Sequence, residues 1–200
     1  MPRRKRPTDY GRSVGQMVGD IMQYRALKRI LEPFNPKIDL RMKDKSNIEH
    51  EIDFVIMSTK GDPLVLIDSK YIKYTKHARE KANEILMKLT SVREAHPSVN
   101  MLIAVLAGSF TQDALRTLET RGIHVFHIPF DKLAANLRRY GICIDWPEWD
   151  KQTPERAWER LVSMCEEEKD DIGRHFFDGT DIPRTLPDLI KRHLAEKPTS

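Results

Sequence analysis

The stretch EIDFVIMSTKGDPLVLIDSKYIK, residues 51–73, decides how this chain is read. Two runs rich in Val, Ile, Leu and Phe flank a turn-forming STKGDP, which predicts a β-hairpin with strands over 51–57 and 64–71. Asp53, Asp68 and Lys70 interrupt those apolar runs, and charges placed there are costly unless they are paired or bind a metal. Side chains alternate along a strand, so Glu51 and Asp53 share a face of the first strand, as Asp68 and Lys70 do of the second. With the turn centred between Lys60 and Gly61, Asp53 is expected to face Asp68, and Glu51 to face Lys70. Opposed side chains lie about 5 Å apart at Cβ, which gathers three acids and one lysine on one patch.

Two facing carboxylates repel each other unless a proton or a cation lies between them. An oxygen-only donor set of this size suits Mg²⁺ or Mn²⁺, with water or a substrate phosphate completing the coordination. A lysine on the same face suits phosphodiester hydrolysis, where it positions water and offsets charge developing on the phosphate.

Around the hairpin the pattern alternates between helix and strand. SVGQMVGDIMQYRALKRILEPF has helical apolar spacing from Ser13 and is ended by Pro33 and Pro36. KIDLRMKDKSNIEH reads as a short strand or an exposed loop. A long amphipathic helix is predicted over 75–95, with Lys76, Arg79, Lys81, Lys88 and Arg93 on its outer surface. VNMLIAVLAG is apolar throughout, as in a strand covered on both faces. TQDALRTLETRG follows as a helix capped by Thr111 and closed by Gly122, then IHVFHI as a strand and FDKLAANLRRYG as a helix. The order implies an α/β fold: a mixed central β-sheet flanked by helices, with the hairpin first and parallel crossovers after it. The last fifty or so residues read as two helices, a charged one opened by Thr153 and Pro154 and a short one within TDIPRTLPDLIKRHLAE. The expected organisation is a basic tail over 1–12, a core over 13–145 and a C-terminal helical extension of the same domain over 146–200.

The chain has 200 residues, 40% of them hydrophobic, a net charge of +4 and a pI near 9.0, which fits one globular domain of mildly basic character. No apolar run reaches the length of a membrane span, so no membrane partner is expected. Cys143 and Cys165 are far apart and lack metal-ligand spacing, which points away from zinc and toward a reducing, cytoplasmic setting. RRKR at 3–6 is a basic run suited to a phosphate-contacting arm, a localisation signal or a solvated tail.

The pair ID and IDSK, on consecutive predicted strands, resembles the signature of the PD-(D/E)xK nuclease superfamily, the restriction-endonuclease-like fold. Asp53 matches the first acid, Asp68 the second and Lys70 the lysine. The superfamily's helix-strand-strand-helix-strand core is similar to the order found over 13–107. Its first-helix acid corresponds to Asp20 in GQMVGD, with Gln16 one turn earlier. The chain departs from the pattern in carrying Ile52 where proline is frequent before the first acid, and Asp where Glu is more usual on the helix. Glu167 and Lys169 repeat the short motif, but on a charged helix with no partner strand.

The resemblance implies Mg²⁺-dependent hydrolysis of double-stranded DNA, with Mn²⁺ able to substitute. Asp53, Asp68 and the backbone carbonyl of Ser69 would ligate the metal, Lys70 would assist the attacking water, and Asp20 and Glu51 would be supporting acids. The size resembles a type II restriction endonuclease, an intracellular prokaryotic enzyme acting as a homodimer because two strands need two sites. The alternatives are a structure-specific repair or Holliday-junction-resolving nuclease of the same superfamily, and a non-catalytic DNA-binding subunit. Lys73, Lys76 and Arg79 are expected on the DNA backbone. Arg41, Met42, Lys43, Lys45 and Asn47 form a candidate recognition loop, with Met42 able to wedge between bases. Trp146, Trp149 and Trp158 are expected to pack the extension onto the core or to form a dimer contact.

Overall fold

In this computed structural model, which describes residues 7–196, the hairpin lies within one five-stranded mixed sheet of order β1-β2-β3-β4-β5. Strands β1 (Lys37–Lys43), β2 (Glu49–Met57) and β3 (Pro63–Ile72) are antiparallel in succession. β4 (Met101–Gly108) and β5 (Ile123–Pro129) follow parallel to β3. The apolar run MLIAVLAG forms β4 and is buried at every position, because a parallel strand between helical layers has no wet face. KIDLRMK, ambiguous between strand and loop by pattern, is a full edge strand.

The pairs Phe54–Ile67, Val55–Leu66 and Ile56–Val65 match the register expected from the turn composition. The pairing shifts at Ile56/Met57, and the turn is closed by Ser58, whose hydroxyl accepts from the N–H groups of Lys60 and Asp62.

The first helix, α1 (Pro7–Ile21), begins ahead of Ser13, so the segment over 7–12 expected as tail is helical; Arg3 to Arg6 lie outside the described residues. It runs on through a π-helical turn, Met22–Leu27, into α2 (Lys28–Leu31) and a 3₁₀ turn, Glu32–Phe34, where the two prolines end it. A 3₁₀ turn, Thr75–His77, leads into α3 (Ala78–Ala95), and α4 (Gln112–Glu119) is capped by the Thr111 hydroxyl as expected. After α5 (Phe130–Arg138), the C-terminal region holds three helices where the pattern suggested two: α6 (Gln152–Ser163), α7 (Glu166–His175) and α8 (Ile182–Glu196). The extra break comes at Met164, which is extended, followed by Cys165, whose side chain and Glu168 form a reciprocal capping box.

Two apolar layers sandwich the sheet. Val14, Val18 and Leu27 join Phe54, Ile67, Ile103 and the α5–α8 residues Leu137, Leu161, Phe176 and Leu186 on one side. Ile52, Val55, Leu66 and Leu102 pack against Ala82, Ile85 and Leu89 of α3 and Leu115 of α4 on the other. Trp158 packs against the first layer, as does buried Trp146, whereas Trp149 is 81% exposed. No helix among the described residues is long and apolar enough to cross a membrane.

Candidate active site

Asp68 and Ser69 are the buried polar residues among those described, at 3% and 9% exposure. Both are on β3, the strand between the antiparallel and parallel halves of the sheet. β3 is fastened to β4 along its length, from Val65–Met101 to Ile72–Gly108, but its ladder with β2 runs only as far as Phe54–Ile67. The next residues in register are Asp53 and Asp68. There β2 parts from β3, and the freed Asp53 carboxylate takes up the Ser69 N–H (2.7 Å) and the Ser69 hydroxyl (2.5 Å) through Oδ2.

The parting has a local cause. Ile38 and Phe54 pack on the α1 side, whereas Leu40, Met42 and Ile52 pack on the α3 side, although strict alternation would keep each set on one face. Both strands change faces at Asp39 and Asp53, which lie across from each other between the pairs Ile38–Phe54 and Leu40–Ile52. Asp39 has a φ of +52°, a left-handed conformation that aspartate tolerates better than most residues. Beyond it the ribbon leans over α3: Lys88 Nζ donates to the Glu51 carbonyl at 3.1 Å, and His96 meets the Lys43 carbonyl at 3.1 Å.

The left-handed residue is held from the first helix. Gln23 Nε2 donates to Asp39 Oδ1 (2.7 Å), and the Tyr24 hydroxyl donates to Asp39 Oδ2 (2.8 Å). Both donors lie on the π-helical turn, a local unwinding frequent at functional sites. Gly173 lets α7 lie against this turn, since a Cβ there would come within 2.5 Å of the Arg25 Cβ. The hydrogen bond to Asp39, burial, and the nearby charges of Asp39, Asp20 and Asp53 push the Tyr24 phenol up to about 12. Asp20 therefore belongs to the same acidic neighbourhood, and burial raises its own carboxyl. Tyr24→Phe removes the hydrogen bond to Asp39 Oδ2. Its stability should change by only about 1 kcal/mol. A thermal melt of the variant reads that change.

Asp68 is the electrostatic centre. Burial pushes its carboxyl up to about 7, the Asp53 charge adds to the rise, and Lys88 and Lys70 oppose it. Lys88, on α3, contacts Asp68 Oδ1 directly. Lys70 shares Asp68's face two residues on and makes no hydrogen bond or ion pair among the described residues, leaving its half-buried ammonium free. Asp53 Oδ1 and Asp68 Oδ2 likewise accept no hydrogen bond among the described residues.

Some expected site residues are placed differently. Glu51 does not face Lys70: the roll of the ribbon turns it outward, 3.8 Å from Arg41 Nε, with both side chains exposed. Met42 is 7% exposed in the core over α3, so it cannot wedge between bases. Lys45 and Asn47 sit in a tight turn that Asp44 closes by accepting from the Ser46 and Ile48 N–H groups. Lys73 is held by the Trp146 carbonyl at 2.8 Å and lies over the Trp146 ring at 3.3 Å, and burial pulls its ammonium down to about 8. Lys76 pairs with Glu148 at 2.8 Å, and exposed Arg79 lines a shallow hollow with Asp113. Lys73 and Lys76 precede α3 and the Lys43 contact comes after it, so the two basic groups flank the acids from opposite ends of a helix about 27 Å long. A groove of about 780 Å³ begins at Tyr71, next to Lys70, and is lined by Arg12, Lys73, His77, Lys81 and Lys151.

Sequence reasoning missed Lys88, Asp39, Gln23 and Tyr24. Lys88 is one of five basic residues on an amphipathic helix, and Asp39 is one acid in a polar segment; nothing local marks either.

The chain matches no protein-family model and no curated protein. A solved structure, that of a protein of unknown function named AF1548, aligns with 88% of this chain and 99% of its own at 17% identity and a TM-score of 0.43, a likeness too slight to speak to activity.

Proposed function

We propose that this chain is a divalent-metal-dependent DNA endonuclease, and that Asp53, Asp68, Ser69 and Lys70 form its active site. One observation carries the reading: β3 places its buried aspartate beside a second carboxylate, at the point where two strands part, with a free lysine on the same face. One oxygen of each acid accepts no hydrogen bond among the described residues, and since no buried side-chain oxygen there lacks a partner, both reach solvent and stand open to a cation.

The donor set fits a hard cation. No group of three or more His, Cys, Asp or Glu side chains among the described residues is disposed to hold a metal. Mg²⁺, however, is commonly held by one or two carboxylates together with water and substrate phosphate. Asp53, Asp68 and the Ser69 carbonyl would hold it, and when bound it would activate water and offset phosphate charge. Within the chain, Ser69 orients Asp53, and Lys70 is positioned to hold the attacking water by hydrogen bond and to offset charge on the phosphate. Arg12 and Lys151 in the adjacent groove offer cations for a phosphate backbone, whereas Lys81 there is paired with Glu84 at 2.7 Å and the lining also carries Glu80, Glu148 and Asp150. Cutting both strands of a duplex by this route calls for a homodimer.

Burial of Met42 favours a second reading within the same chemistry. Without a base wedge, recognition falls to backbone contacts and DNA shape, as in a nuclease of branched or junction DNA. The test is incubation of the purified protein with plasmid and with a four-way junction, in Mg²⁺ or in EDTA. Discrete Mg²⁺-dependent plasmid fragments would make it a sequence-specific restriction-type enzyme. Cleavage of the junction alone would make it a structure-specific one. Survival of both substrates would sink the nuclease reading and leave a DNA-binding module.

A further inference from the structure

Lys88 reaches across the site from α3. Its neighbours Ile85, Leu89 and Val92 are buried in the helix–sheet layer, which fixes the rotation of the helix and aims the lysine stem along the sheet. The ammonium bonds Asp68 Oδ1 and the Glu51 carbonyl, tying α3, β3 and the rolled tip of β2 together at one atom. Its side chain is 25% exposed against 4% for Asp68, so it has the wider route to solvent. Lys70 stands on the same face of β3 and acts on the carboxylate only through its charge, so Asp68 has two lysines near it and bonds only one.

We propose that Lys88 is a place-holder cation: it neutralises Asp68 while the site is metal-free, and it gives way when a divalent ion enters. This rests on reading Asp53 and Asp68 as the metal-binding pair. A buried carboxylate cannot stay charged without a counter-ion. A monovalent ammonium and a divalent ion on one carboxylate repel each other strongly where screening is weak. The side chain that moves is the one with the wider route to solvent, and Lys88 acts on metal binding through Asp68. It thereby sets the metal concentration at which the site fills and keeps β3 and α3 packed until it does.

The test is Mn²⁺ binding to the whole protein without DNA, followed by electron paramagnetic resonance of the free ion. Lys88→Met should bind Mn²⁺ about tenfold or more tightly than the unmodified chain, because the competing charge is gone. Lys88→Arg keeps the charge and should bind no more tightly than the unmodified chain. Circular dichroism of both variants checks that the fold persists. Weaker or unchanged Mn²⁺ binding by Lys88→Met would overturn the proposal and make Lys88 a strut for Asp68. Failure of every variant, including the unmodified protein, to bind Mn²⁺ would overturn the metal-site reading as well. Tighter binding by Lys88→Met alone would leave both standing.

Discussion

Asp68→Asn should do two opposite things: abolish cleavage, by roughly a thousandfold or more, and make the protein more stable at pH 8. The first follows from removing an anionic ligand of the proposed metal. The second follows from what holding that anion costs. A carboxyl raised from 3.8 to about 7 favours the protonated form in the fold. Its folded-state value lies above its unfolded one, so the penalty is absent below the unfolded value. It grows as pH rises through the window from about 4 to 7 and is complete above it. A displacement of that size corresponds to about 4 kcal/mol at most. The amide keeps an oxygen for Lys88, so a gain of roughly 1–3 kcal/mol at pH 8 is expected, shrinking toward zero at pH 4. Thermal melts of both proteins across that range read it directly. Destabilisation at pH 8 would make Asp68 a structural partner of Lys88 and remove the reason to think it is kept for chemistry. Lys70→Ala is the control. Its ammonium makes no hydrogen bond or ion pair and acts on Asp68 only through its charge, so the melting temperature should move little, while the proposed cleavage falls by roughly 10²–10⁴-fold.

Gly108→Ala should be the most damaging single methyl in the chain. Gly108 ends β4 with a φ of +100°, and a Cβ there would lie 1.9 Å from the Ile72 carbonyl oxygen and 3.0 Å from its carbon. Those are backbone atoms and cannot step aside as a side chain would. The obstructed carbonyl also accepts the Ser109 N–H at 2.9 Å, and the Gly108 carbonyl meets the His127 ring at 2.9 Å. Relieving the clash therefore means pulling the end of β3 off β4. The expected loss is about 4 kcal/mol or more, seen as a melting temperature lower by roughly 10 °C or more. Because β3 carries Asp68 and Lys70, any Gly108→Ala protein that does fold should also cleave poorly. A shift under about 3 °C would mean that β3 and β4 do not meet as closely as described.

The elements were legible because their signals are local. Alternation and the STKGDP turn placed β2, β3 and three register pairs, and the unbroken apolar run placed β4 between two layers. Thr111 and Gly122 bounded α4. Alternation also predicted Asp53 opposite Asp68; the strands part there and Asp53 turns to Ser69, but its charge still acts on Asp68. Two of the failures share one cause. Glu51 beside Lys70 and Met42 in solvent both assume that the β1–β2 ribbon stays flat past Asp53, whereas it rolls over at Asp39. The missing break at Met164 has a smaller cause, since a cysteine acting as a helix cap is not one of the usual capping residues.

The sequence by itself determined the order and kind of the elements, the hairpin register and the two acids with their lysine, because periodicity and turn chemistry act over a few residues. Only the tertiary structure decided which lysine Asp68 binds, where Asp53 points and which basic side chains are already engaged. Those outcomes depend on the angle at which one ribbon leaves the sheet. That angle is set by Tyr24 and Gln23 on Asp39, and by Lys88 on Asp68 and Glu51, contacts between residues far apart in the chain. No local pattern encodes a long-range contact between single polar side chains; it forms only once apolar burial has brought the elements carrying them together.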